Sequence, residues 1–256
     1  MTPRIPLMDT PSFPSDSGAN AVAADLERAM LAQADPAVAE KLMRFFKTGP
    51  GQYGEGDRFL GIKNPRTRRT AKAFRELPVR EAVRAAHSEW HEIRLCALLV
   101  LTNQYQSKKT GETDRDAIFE QYAGLARRGF VNNWDLVDLT APGITGAYAF
   151  EHGADTLERF AASGRLWEER IAVLSMFPFI RAKQLDEPFR MVDRFLAHPH
   201  DLMHKACGWM LREIGKRDRA ALTDYLMKNK TAMSRTTLRY AIEHYPEPER
   251  KAFLSR

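Results

Sequence analysis

The sequence predicts an all-α fold built as a solenoid of repeated helices, and three observations point to it. From residue 21 onward Ala, Leu, Arg and Glu dominate, apolar residues recur at helical spacing, and alternating β-branched runs are almost absent. Connections between the helical stretches are short and marked by Gly, Pro, Asp or Asn. Four similar segments begin at residues 94, 132, 170 and 205, so each start follows the last by 35–38 residues. A helical period of about 35–45 residues is the mark of HEAT or armadillo arrays, which present a concave face along one helix of each pair.

In chain order, helices are expected over residues 21–31, 36–47, 65–76, 79–87, 92–105, 114–128, 133–148, 155–162, 167–177, 187–196, 202–216, 219–228 and 235–244. Residues 1–20 carry Pro3, Pro6, Pro11 and Pro14 among Ser and Asp and read as a flexible tail. Residues 21–256 then form a single repeat domain. The Gly-rich stretch 49–56 lacks the Gly-Lys-Ser/Thr ending of a phosphate cradle and follows no strand, so it reads as a flexible helix–helix connection.

Composition narrows the function. Lys plus Arg is 39 against 33 for Asp plus Glu, a net charge of +6. That balance favours an anionic partner, nucleic acid first and an acidic membrane surface second, and suits a basic concave face. Two cysteines, Cys96 and Cys207, give neither a disulfide framework nor a Cys-rich zinc module. The longest apolar stretch, Leu95 to Leu101, is only about two helical turns and no secretion signal is evident, so a cytoplasmic location is expected. Pro199 interrupts the run of His198, His200 and His204, and Cys207 reads as core packing, so no metal site is expected. Cys96 and Cys207 share a small-residue slot of the repeat and read as core packing.

The repeat is broken in its second copy. Where the others have Cys96, Ala172 and Cys207, it has Trp134; where they have Val100, Met176 and Leu211, it has Asp138. Residues four apart share one helix face, and a carboxylate in an apolar register is costly without a partner. Departures from a local rule tend to gather where function is carried. The plainer reading stays open: Trp134 as a core aromatic, and Asp135 and Asp138 serving the N-terminal dipole of a helix capped by Asn132 or Asn133.

Asn133-Trp134-Asp135-Leu136-Val137-Asp138 resembles the signature of the AlkD-type DNA alkylation-repair glycosylases. Three further stretches agree in order and rough spacing: Phe59-Leu60-Gly61-Ile62-Lys63-Asn64-Pro65 followed by Arg68-Arg69, then Leu166-Trp167-Glu168-Glu169-Arg170-Ile171-Ala172, then Gly208-Trp209-Met210-Leu211-Arg212-Glu213. The resemblance runs from about Phe45 to the C-terminal region. It implies a HEAT-like solenoid whose concave basic surface holds duplex DNA. It also implies hydrolysis of the N-glycosidic bond of cationic alkylated purines, such as 3-methyladenine and 7-methylguanine, by a monomer with no metal, nucleotide cofactor or Schiff base.

On that resemblance Asp138 stabilises the oxocarbenium-like sugar, Trp134 offers its ring face to the cationic sugar, and Arg170 makes a bidentate phosphate contact. Trp209 flanks the cleft, and Lys63, Phe45, Arg69 and Arg212 are DNA-binding candidates. Phe45 stands where the family can have a tyrosine, and Lys63 where it can have a neutral amide. The basic pairs Lys108-Lys109, Arg127-Arg128 and Lys216-Arg217 serve either DNA or the dipoles of the helix ends they occupy. Two other readings remain: a non-catalytic solenoid that binds damaged or branched DNA, and a protein-interaction scaffold.

Overall fold

The computed structural model describes residues 21–255; the expected tail at 1–20 lies outside them. Among the described residues the chain is helical throughout, with one isolated bridge between Arg58 and Trp90 in place of any strand. The helices are α1 (Ala23–Leu31), α2 (Pro36–Phe45), α3 (Asn64–Ala73), α4 (Val79–Ala85), α5 (His91–Tyr105), α6 (Glu112–Arg127), α7 (Trp134–Thr140) and α8 (Thr145–His152). They continue with α9 (Glu158–Ala161), α10 (Leu166–Leu174), α11 (Phe177–Arg181), α12 (Asp186–Phe195), α13 (Asp201–Arg217), α14 (Arg219–Asn229), α15 (Arg235–Ala241) and α16 (Glu247–Leu254). None is long and apolar enough to cross a membrane.

Two layers follow from the packing. Helices α3, α5, α7, α10, α13 and α15 lie side by side in that order as an inner row. Helices α4 and α6 back α5, α8 and α9 back α10, and α12 and α14 back α13. One apolar cluster runs between the layers from Ala21 to Phe253. Helix α5 is apolar on every side over Leu95–Leu101 and is enclosed accordingly. Local signals set the helix starts. The Asp35 carboxylate accepts from the amides of Ala37 and Val38 at the head of α2, Asn133 caps Trp134 at the head of α7, and Ser234 caps α15. At Gly208 a Cβ would lie 2.5 Å from Cβ of Tyr240 and 2.7 Å from the carbonyl of Thr237, so glycine there lets α15 press against α13.

The expected helix over 133–148 is three pieces: α7, a 3-10 turn at Ala141–Gly143, and α8. Pro142 has no amide hydrogen to return to the Asp138 carbonyl, so the α-helical run ends after about two turns. Pro178 acts similarly farther on. The helix expected over 167–177 stops at Leu174, and Phe177–Arg181 forms a separate short helix that the periodicity did not mark. The stretch 155–162 is a 3-10 turn followed by one α-turn, and α16 was not expected.

The repeat register also changes. Because α7 begins at Trp134, Asp138 is the fifth residue of its helix, as Arg170 is of α10 and Lys205 of α13. Asp138 is therefore the counterpart of Arg170 and Lys205 rather than of the buried Val100, Met176 and Leu211. It never occupied the apolar slot that an unbroken repeat assigns to it.

Candidate active site

Helix α7 shows one open face. Asp135, Leu136, Val137 and Thr140 are buried, whereas Trp134 and Asp138, one turn apart on one face, and Leu139 beside Asp138 are half-exposed. Asp138 and Leu139 line a cleft of about 480 Å³. Its other walls come from Arg68 of α3, Thr102 and Asn103 of α5, Phe177 and Arg181 of α11, and Trp209 and Glu213 of α13. Trp209 thus flanks the cleft that Asp138 opens into, its ring edge-on to Phe177 at 5.1 Å between centroids.

The Asp138 carboxylate is held by Arg170 in a two-pronged pair. Nε and Nη2 donate to Oδ1 and Oδ2, each at 2.9 Å. A third donor, Nη1, reaches the carbonyl of Leu202 at 2.6 Å, at the N-terminus of α13. Arg170 is buried, with 5% of its side chain exposed, whereas Asp138 keeps 12% open to the cleft. The expected phosphate contact by Arg170 is therefore corrected: its guanidinium points at Asp138 and Leu202, away from solvent. Burial pushes the Asp138 carboxyl above its ordinary range, Arg170 pulls it back, and the nearby Asp135 charge pushes it up again.

Trp134 faces the neighbouring hollow, of about 230 Å³, between α2 and α5. Its ring stacks on Phe46 at 5.1 Å and meets Phe45 edge-on at 5.9 Å. Phe46 stacks in turn on Phe59 at 4.9 Å. Together with Ala39, Leu42 and Met43 these rings form a small apolar cluster apart from the main core. One face of Trp134 is thus covered by Phe46, and Phe45 stands 62% exposed beside it. Lys63 and Asn64 rim the same hollow.

The stretch Phe59–Lys63 owes its course to two close contacts. Glu92, buried, accepts the amides of Leu60, Gly61 and Ile62 at 2.8, 2.8 and 3.0 Å. Gly61 has φ +87, and a Cβ there would sit 2.1 Å from the carbonyl oxygen of Asp35. Only glycine suits that backbone and that proximity. The Gly-rich stretch 49–56 is packed over part of its length: Tyr53 meets the Trp167 ring at 6.1 Å, and Gly54 lies against the Phe46 carbonyl.

Beneath α7 lies a buried polar network that sequence reasoning missed. His91 Nδ1 is 3.0 Å from Asp57 and Nε2 is 2.9 Å from Asp135. Arg94 reaches Asp57 at 2.6 Å, and Asn132 and Asn133 donate to the same carboxylate at 2.9 and 3.2 Å.

The remaining basic candidates divide. Lys63, Arg68 and Arg69 are exposed, and no ion pair engages them among the described residues. Arg68, not Arg69, lines the Asp138 cleft, and Arg181, which the sequence did not single out, joins it. Arg212 is already paired: its guanidinium meets Glu243 and its side chain is 19% exposed. Lys216 is paired with Glu213 at 2.7 Å. The three histidines near α13 are engaged in its cap: His198 pairs with Glu169, His200 accepts the Leu202 amide, and His204 bonds the His198 carbonyl. Among the described residues no group of three or more His, Cys, Asp or Glu is placed to hold a metal ion. Cys96 and Cys207 are both buried, and burial pushes the Cys207 thiol up to about 12.

An array of stacked helices with a carboxylate–guanidinium pair set in a cation-rimmed cleft defines a helical-repeat protein with a polar groove. The chain belongs to the DNA alkylation repair enzyme family, whose model matches residues 26–245. Its fold is similar to that of a protein described as a predicted DNA alkylation repair enzyme from Enterococcus faecalis, with a TM-score of 0.66 and 16% identity over 84% of this chain and 97% of that one. No curated protein matches the sequence. Membership in the family gives the chain a role in the repair of alkylated DNA.

Proposed function

We propose that the chain is a monofunctional DNA glycosylase acting on cationic alkylated purines, 3-methyladenine and 7-methylguanine, in duplex DNA. The observation that supports it most is the Asp138–Arg170 pair on the wall of a cleft shared with Arg68, Arg181 and Trp209. An N-alkylated purine already carries positive charge and leaves readily. As the C1′–N bond breaks, its electron pair stays with the base, which departs neutral, and positive charge builds on the sugar. A carboxylate fixed in plane by two hydrogen bonds is preorganised to face that charge. Water then adds to C1′, keeping one hydrogen as the new hydroxyl and releasing one proton to Asp138 or to solvent.

Arg170 orients Asp138 and opposes the upward push of burial on its carboxyl. Trp134 offers the ring face that Phe46 leaves open. Trp209, Lys63, Phe45 and Arg69 contact the sugar–phosphate backbone around the lesion, aided by Arg68 and Arg181. Residues 21–256 work as one unit and as a monomer, without a cofactor. The test is release of free 7-methylguanine from a duplex holding one such base. Release in the absence of any added cofactor supports the proposal. Salt-sensitive duplex binding with no release overturns it in favour of a non-catalytic DNA-binding solenoid.

A further inference from the structure

We propose that His91 is a positioning residue for this site: wedged between Asp57 and Asp135 under α7, it cancels the Asp135 charge and so keeps the Asp138 carboxylate ionised and correctly set. The inference rests on the catalytic reading of Asp138 given above.

The hydrogen bonds fix the state of the ring. His91 is 1% exposed and each of its two nitrogens faces a carboxylate oxygen, Asp57 at 3.0 Å and Asp135 at 2.9 Å. A neutral imidazole has one N–H, so one of those contacts would set a lone pair against a carboxylate; only the imidazolium donates to both. The directions of titration agree. Burial would lower the His91 value, but Asp135 and Asp57 outweigh it and raise it to about 9. Burial would raise Asp57, yet His91, Arg94 and Asn132 bring it down to about 2.

The network counts two anions, Asp57 and Asp135, against two cations, His91 and Arg94. Arg94 is committed to Asp57 at 2.6 Å and to Asn132 at 3.0 Å. Asp135 bonds the Leu136 amide, and among the described residues its one ionic partner is His91. Asp135 and Asp138 are three residues apart on α7 and so are neighbours on its surface. Other groups also face Asp138: Arg170 of α10 and the Tyr122 hydroxyl of α6, with Arg68, Arg181 and Glu213 on the cleft walls. Of the contacts that bear on Asp135, His91 alone supplies positive charge.

Asp135 already pushes the Asp138 carboxyl up, and that push grows once His91 no longer balances it, so the proton affinity of Asp138 should rise by about tenfold. His91 also underlies Trp134 sterically. Its ring stacks on Phe59 at 4.4 Å, and Phe59 supports Phe46, on which Trp134 lies.

The experiment compares His91→Gln, Asp135→Asn and the double variant. Thermal unfolding first establishes which of them fold. The Asp138 carboxyl is then titrated by carbon NMR in DNA-free protein, and the acid limb of single-turnover excision is recorded. In His91→Gln the Asp138 midpoint and the acid limb should both move up by about one pH unit or more. In the double variant no orphaned carboxylate remains, and both should return toward the native position. Asp135→Asn alone should move the midpoint down, and an unmoved midpoint there overturns the inference even if His91→Gln does not fold. An unmoved midpoint in the foldable single variants, or a double variant that stays shifted like His91→Gln, overturns the inference. A native chain that excises nothing would defeat the catalytic reading, while the NMR titration would still judge the role of His91.

Discussion

Asp138→Asn separates charge from shape at the centre of the cleft. The native carboxylate accepts two N–H groups of Arg170 at 2.9 Å each. Asparagine can keep one acceptor but turns an amide N–H toward the other donor. It also leaves Arg170, with 5% of its side chain exposed, without its counter-charge. Breaking a buried pair in this way costs about 3–5 kcal/mol. The lower end applies, because Arg170 keeps the Leu202 carbonyl at 2.6 Å and Asp138 borders the cleft. Losing a preorganised group that faces developing charge costs a further ~3–4 kcal/mol in the transition state, roughly 10²–10³ in rate. The assay is single-turnover release of 7-methylguanine, run below the melting temperature of the variant, with duplex affinity measured alongside. Excision should fall by at least about a hundredfold while affinity changes only a few-fold. Excision within threefold of native, in folded protein, would remove Asp138 from the chemistry.

Further outcomes follow from the same contacts. Lys63→Ala should weaken duplex binding and reduce the slope of log affinity against log salt by about 0.9, as for one lost phosphate contact; Arg212→Ala, whose charge is already paired with Glu243, should leave that slope unchanged in fluorescence anisotropy. Gly61→Ala should cost at least ~2 kcal/mol in urea unfolding, since the new Cβ meets the Asp35 carbonyl at 2.1 Å and φ is +87; unchanged stability would contradict that geometry. Folding stability should also depend on pH through His91, whose value rises from 6.5 to about 9 on folding. That contribution is complete below pH 6.5 and is lost as pH climbs toward 9, about 3 kcal/mol in all. His91→Gln should flatten the alkaline decline, and a native curve flat across that window would refute the buried imidazolium.

The helical class, the inner row and the Asp138 cleft were legible because they rest on local periodicity and on short motifs. Trp134, Asp138 and Arg170 could be picked out along the chain, and Trp209 could be placed on the same cleft. The detailed pairing could not. Arg170 meets Asp138 across 32 residues, and His91 meets Asp57 and Asp135 across 34 and 44. No spacing rule within one helix reports such contacts. The second repeat copy misled because α7 starts late, at Trp134, which shifts it by six residues against α10 and α13. Arg212 looked like a free cation because its partner Glu243 lies 31 residues on, in the segment after α15. Helices α11 and α16 escaped notice since both are short and open with proline, which reads as a break as readily as a first turn.

Arg170 belongs to α10 yet is fastened to both its neighbours in the inner row, to α7 through Asp138 and to α13 through the Leu202 carbonyl. One guanidinium therefore rivets three consecutive rungs of the ladder. Any sliding of α7 against α10, or of α10 against α13, must strain that rivet, so the packing of these helices and the aim of the carboxylate are a single mechanical variable. Rungs added at either end would leave the aim undisturbed, whereas one inserted between α7 and α13 would undo it.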